Sequence, residues 1–215
     1  MKENLLTSLL LAVIMGTSVQ AEEATNDTIT RLYSATFDRA PDIDGINYWI
    51  QTNMPLEDIA TSFFDQNETQ ALYQNSENDT TEFIESIYTN LFNHSPDDAG
   101  MDYWKEELES STISNSKFIL AVVNGAKDDD KTIMDNKTYI GRIFVQTGEN
   151  NITKAKDVMQ EITKDRASVQ EAWEKIDYIP SSDDLDYVTG IKEFELDNNM
   201  SLDIEYINVG SSGRA

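Results

Sequence analysis

Apolar residues recur along most of this chain at helical intervals. Ile84, Ile87, Tyr88, Leu91 and Phe92 stand at i, i+3, i+4, i+7 and i+8, which places them on one face of a helix. The segment Ile29 to Phe37 carries the same pattern upstream. A third helix carrying Ile59 and Phe63 follows the first of these, and one carrying Ile119, Val122 and Val123 follows the second. Further on, Ile133, Ile140, Ile143 and Phe144 form a stripe. Asn151 reads as the cap of a helix bearing Ala155, Val158, Met159 and Ile162, and Ser168 as the cap of one bearing Val169, Ala172, Trp173 and Ile176. After Pro180 the period changes. Ile191 to Leu196 and Leu202 to Ile207 alternate apolar and polar residues around Asp197-Asn198-Asn199, the pattern of a hairpin. A lone hairpin is marginal in water, so this one needs the helices or another chain to pack on. Gly210 to Ala215 has the composition of a disordered tail. The predicted fold is mainly α: a duplicated helical module in a helical bundle, with a small C-terminal β-hairpin.

The duplication is visible directly. At an offset of 55 residues, Ile29 to Trp49 aligns with Ile84 to Trp104, and 8 of 21 positions are identical. Chance at ordinary residue frequencies gives about one or two. Phe63 and Phe118 keep the same offset. In each copy a proline, Pro41 or Pro96, is expected to end the first helix, and Asp42 or Asp97 to cap the next. Gly45 and Gly100 then predict a close backbone approach to the preceding helix. The pairs Tyr48-Trp49 and Tyr103-Trp104 are expected in the core of the helix pair. The predicted segments are a leader over 1–21, a first module over 22–80, a second over 81–127, a helical extension over 128–179 and a C-terminal segment over 180–215.

The leader rests on Lys2, the apolar run Leu5 to Met15 and Val19-Gln20-Ala21, the order of parts in a secretory signal cleaved after Ala21. Secretion or residence in the periplasm or at the cell surface is the expected location. The apolar run is short for a bilayer, and no later segment reaches eighteen apolar residues, so no transmembrane segment is expected in the mature chain. The chain has no cysteine, so its core must hold it without disulfides. Charge narrows the partners. Sixteen Lys plus Arg stand against 40 Asp plus Glu, a net of -24, which repels nucleic-acid phosphates.

The first copy reads Leu32-Tyr33, Phe37-x-Arg39-x-Pro41-Asp42-x-x-Gly45-x-x-Tyr48-Trp49, and this spacing resembles the bacterial domain-of-unknown-function 4214 family. The second keeps Tyr88, Phe92, Pro96, Asp97, Gly100, Tyr103 and Trp104 but has His94 where the pattern has arginine. Asn124-Gly-Ala-Lys127, Asn136-Lys-Thr138 and Gly141-x-x-Phe144 resemble a segment that often follows such modules. The resemblance spans roughly residues 28–175. It implies an all-α module similar in fold to phycobilisome linker domains, occurrence in secreted, surface-layer and calcium-associated repeat proteins, and no established reaction. The role it suggests is attachment or assembly at the cell surface.

Candidate chemistry is sparse. Asp42-Ile43-Asp44-Gly45 has the Asp-x-Asp-Gly of an EF-hand loop. With Gly45 at the sixth position, however, Ala40 and Gln51 fall where oxygen ligands are required. A calcium site of another kind, built on Asp42, Asp44 and Asp97, remains an alternative that the acidic composition suggests. Asp128-Asp129-Asp130 reads as a helix start. His94 is the lone histidine, and with no cysteine it cannot build an ordinary zinc site. No Gly-x-Ser-x-Gly or phosphate-cradling glycine loop occurs, and no pair among the many carboxylates is singled out for glycoside hydrolysis, which stays a distant alternative. The expectation is therefore a non-catalytic secreted or envelope protein with no catalytic residue and no cofactor other than calcium. Its partner would be an envelope or extracellular protein or glycan.

Overall fold

In the computed structural model, residues 23–73 and 79–189 are described. The leader and the expected hairpin and tail lie outside the described residues. The chain divides into two compact units, one ending at Ile179 and the other beginning at Pro180. Eleven helices and no strand occur among the described residues, which makes the fold mainly α.

The first copy comprises α1 (Asn26–Phe37), α2 (Ile43–Thr52) and α3 (Leu56–Phe64), followed by a short α4 (Asn67–Tyr73). The second comprises α5 (Thr80–Phe92), α6 (Asp98–Glu109) and α7 (Asn115–Gly125). The extension contributes α8 (Asp128–Thr147), α9 (Ile152–Gln160) and α10 (Arg166–Lys175). In the second unit, α11 (Ser182–Thr189) follows Ser181, whose backbone N–H and hydroxyl both donate to the Asp184 carboxylate.

Local chemistry sets the helix ends. Thr25 and Thr28 form a reciprocal capping box on α1. Asp42, Asp97, Ser114 and Asn151 each accept a backbone N–H three residues on, satisfying a donor that the first turn leaves orphaned. Two expected boundaries are corrected. Neither Pro41 nor Pro96 ends its helix. Instead α1 and α5 are capped three residues earlier, at Asp38 (φ 51°) and Asn93 (φ 63°), which turn into the left-handed region that Asn and Asp tolerate best among side-chain-bearing residues. The cap of α10 is Asp165 and not Ser168, which sits buried in the first turn and receives the Thr163 N–H.

Equivalent elements of the two copies pack on each other: α1 on α5, and α3 on α7. Residues at the duplication offset even touch. The Thr61 hydroxyl lies 3.1 Å from that of Ser116, and the Asn90 amide donates to the Ala35 carbonyl at 2.9 Å. That is the arrangement of two copies facing each other across a pseudo-twofold axis. Each copy supplies an aromatic hub to the shared core. Phe63, wholly buried, has ring centroids of Tyr33, Phe37 and Trp49 at 5.1, 5.0 and 5.1 Å. Phe118, also wholly buried, has Phe83 and Trp104 at 5.5 and 5.1 Å. Tilted aromatic pairs of this kind add about 0.5–1.5 kcal/mol each beyond area burial. The long α8 packs on α1 and α5, and α9 and α10 pack on it and on each other, so the extension covers both copies.

Candidate functional site

Every recurring motif residue now has a place. Tyr33, Phe37 and Trp49 are buried around Phe63, and Phe92 and Trp104 are buried in the second copy. Tyr88 is half-buried and accepts the Trp104 indole N–H at 2.9 Å, a bond that limits how far burial raises the Tyr88 hydroxyl pKa. The tyrosine of the Tyr-Trp pair departs from expectation. Tyr48 is 61% exposed and meets Trp49 only edge-on, while Tyr103 is half-buried. On a helix, neighbours point 100° apart, so a tryptophan aimed at the core turns the preceding tyrosine away from it. The Tyr103 hydroxyl has no hydrogen-bond partner among the described residues.

Arg39 is buried and does structural work in the first copy. Its guanidinium makes a fork–fork pair with Glu68 at 2.8 and 2.9 Å, donates to its neighbour's carbonyl at 2.9 Å and lies 4.9 Å above the Tyr33 ring. It thereby pins α4 to the end of α1. His94, at the same place in the second copy, faces outward. It stacks on Phe92 and pairs with Asp130 at 2.8 Å, and that bond raises its pKa.

The three acids considered for calcium stand apart in role. Asp42 and Asp97 are helix caps, spending Oδ1 on the N–H of Gly45 and Gly100 at 2.8 and 2.7 Å. Asp42 also lies 3.6 Å from Arg39, and Asp44 is exposed in the first turn of α2. No group of three or more metal-ligating side chains is assembled among the described residues. Asp128, Asp129 and Asp130 form the first turn of α8, as the sequence predicts.

A lysine that the pattern did not single out lies at the junction of all three parts. Lys137 is 1% exposed, and its ammonium donates to the Asn90 carbonyl at 2.5 Å and to Asn93 Oδ1 at 2.8 Å. Asn93 in turn donates to the Ile162 carbonyl at 2.7 Å, and the adjacent Asn136 donates to the Thr163 carbonyl at 2.8 Å. Burial pulls the Lys137 pKa down to about 8, opposed by the nearby Asp38 charge. The same burial raises Asp38, against its hydrogen bond from Gln160 and the charges of Lys137 and Lys156. Both loops between the paired helices are thus held by the extension. Ala40 N–H donates to Ala155 O at 3.0 Å and Gln160 to Asp38 at 2.8 Å in the first, while Asn93 and His94 reach Ile162 and Asp130 in the second. Only the motif Asn136-Lys137-Thr138 signalled this network, and it did so without revealing that a charged residue is buried.

Open space gathers elsewhere. A cleft of about 430 Å³ lies at the seam of the two copies. Phe64, Gln70 and Tyr73 line it from the first copy, and Phe83, Asn115 and Ser116 from the second. Thr61, Ser116 and Ser114 form a chain of hydroxyls along it, with contacts of 3.1 and 2.9 Å. No carboxylate lines it among the described residues.

The family model of the Domain of unknown function (DUF4214) matches residues 60–128. The match covers the seam and the second copy. The Phe37 to Trp49 motif of the first copy lies outside the matched stretch. No curated protein and no solved structure matches the chain. No helix among the described residues is long and apolar enough to cross a membrane.

Proposed function

We propose that this chain is a non-catalytic secreted or envelope protein that uses its paired modules for attachment or assembly at the cell surface. The observation that carries this reading is where the signature residues are spent. Arg39, Asp42, Asp97, Trp49 and Trp104 cap helices, pin elements or fill the core, and none converges on the open cleft. A motif used in this way specifies a shape, and a shape of this kind presents a surface to a partner. The leader-like residues 1–21 and the net charge of -24 agree with an extracellular setting, where high charge maintains solubility. The test is to express the full chain in a bacterial host, fractionate the cells and sequence the N-terminus of the product. A chain beginning at Glu22, outside the cytoplasm and retained on washed cells, is expected. A full-length cytoplasmic product would sink the reading.

A second reading, calcium binding at the acidic surface, is favoured by the 40 acids against 16 bases. It does not require the helix-capping oxygens, since Asp97 keeps a second carboxylate oxygen, whereas that of Asp42 faces Arg39 at 3.6 Å.

A further inference from the structure

The cleft between the copies stands out for what it lacks. In a chain whose residues are 26% charged, the side chains lining it are all uncharged among the described residues. The lining combines aromatic rings and Leu108 with hydroxyls and amides. Phe64 is half-exposed and meets the buried Phe83 edge-on at 6.1 Å. Tyr73 is fixed as a wall, because its hydroxyl donates to the Thr36 carbonyl at 2.8 Å, and Thr69 is fixed by its bond to the Phe63 carbonyl. The side chains of Gln70, Thr80 and Asn115, by contrast, make no hydrogen bond among the described residues. Each of these groups both donates and accepts, as the hydroxyls of Thr61, Ser114 and Ser116 also do. The volume falls in the ~300–1,000 Å³ range of small-ligand sites.

We propose that this cleft binds an uncharged saccharide, the half-exposed Phe64, backed by the buried Phe83, meeting the apolar C–H face of a sugar ring while Gln70, Asn115 and the Thr61–Ser116–Ser114 hydroxyls bond its hydroxyl groups. The proposal deepens the attachment reading and rests on it, by naming the site and the chemical class it takes. The chemistry selects this occupant over others. A sugar hydroxyl donates and accepts at one atom, which suits a lining of hydroxyls and amides and leaves no buried charge to compensate. An acidic glycan would find no cation here and a surface of net charge -24 around it. The copies' equivalent positions Thr61 and Ser116 both reach the cleft, so the duplication builds the site, and a single module would supply half of it.

The test uses the full chain, isotopically labelled, titrated with N,N′-diacetylchitobiose, with maltotriose, with digalacturonate and with an unstructured Ser/Asn-rich peptide. Saturable shifts of the Gln70 and Asn115 side-chain amide signals are expected with an uncharged saccharide and not with digalacturonate. Gln70→Ala and Asn115→Ala should each weaken binding about 3- to 10-fold, the cost of one lost hydrogen bond. Their unfolding midpoints should stay at the wild-type value, since neither side chain has a partner to lose. No shift at these amides with either saccharide overturns the proposal, as does binding that both variants leave unchanged, or a response to the peptide alone. Those results leave the attachment reading standing on its own localisation test. Cleavage of a bound saccharide, read by chromatography of the probe, would have the opposite effect: the sugar site would stand and the non-catalytic reading would fall.

Discussion

Three glycines that look alike in the sequence do different jobs. A Cβ on Gly141 would lie 2.4 Å from the Thr30 Cγ2 methyl. Thr30 cannot retreat, because it is wholly buried, β-branched and held by its hydroxyl to the Asn26 carbonyl at 2.7 Å. A Cβ on Gly45 would lie 2.3 Å from the Tyr33 hydroxyl, whose ring is locked between Phe37 and Phe63. At Gly100 the nearest atoms are Asp97 Oδ1 at 3.0 Å and Pro96 Cβ at 3.6 Å, both from the loop just before it. The close approach predicted for the pair of motif glycines therefore holds in the first copy and fails in the second. Overpacking costs about 1–3 kcal/mol, against roughly 1 kcal/mol of helix propensity gained on replacing Gly by Ala. Gly141→Ala and Gly45→Ala are expected to lower stability by about 1–2 kcal/mol, and Gly100→Ala to stay within about 0.5 kcal/mol of wild type. Urea unfolding of the three variants measures this. An equal loss at all three positions would contradict the packing argument. Sequence legibility ends at this scale, because a glycine announces room without naming the neighbour that needs it. The same limit explains Arg39 and His94: equivalent in the alignment, one is buried in a fork with Glu68 and the other faces solvent.

At the scale of elements, periodicity revealed most of the fold. The stripes of α1, α5 and α8, and the caps at Asp42, Asp97 and Asn151, are where the pattern placed them, because each is a local effect. The short α4 was not legible, since seven residues carry too little period to stand out. Nor was the role of Lys137, whose burial depends on three elements meeting. That role has a pH signature. The folded-state pKa lies near 8, below the ordinary 10.5, so between these values the unfolded chain holds a proton that the folded chain has released. Stability then rises with pH across that window, and the burden of the buried charge is present in full below it. Above pH ~10 the unfolded chain's tyrosines ionise more readily than the buried Tyr33, Tyr73 and Tyr88, and that trend reverses the gain. The neutral amine still has two hydrogens for Asn90 and Asn93, so deprotonation keeps the network intact. The expected result is a higher unfolding midpoint in urea at pH 9.5 than at pH 7.5. Lys137→Met should lose that rise. It should also be destabilised at both pH values, by about 1–3 kcal/mol for each acceptor left buried without a donor. A wild-type midpoint that falls steadily from pH 7.5 to 9.5 would show that the ammonium is not strained by its burial.

Over the whole molecule, the core and the surface answer to different parts of the sequence. The aromatic hubs at Phe63 and Phe118 follow from the duplication, and they bind the copies into one core that the extension then covers. The surface carries the net charge of -24, and its ion pairs include exposed ones such as Lys117–Glu57 and Lys164–Asp129. Exposed pairs contribute about 0–1 kcal/mol each, so they offset little of the repulsion among the unpaired acids. The Debye length shrinks from ~30 Å at 0.01 M salt to ~8 Å at 0.15 M, which removes most of that repulsion. KCl raised across this range should therefore raise Tm, an effect of screening alone. Calcium separates screening from binding. At equal ionic strength, calcium and magnesium screen alike, whereas a ligand bound only by the folded state adds about 2.7 kcal/mol at a hundredfold excess over its Kd. A Tm that rises with millimolar calcium, returns with EDTA and does not respond equally to magnesium would establish a site. Asp42→Asn, Asp44→Asn and Asp97→Asn would then show whether these acids form it. Equal responses to the two ions would instead assign the acidic surface to repulsion and solubility.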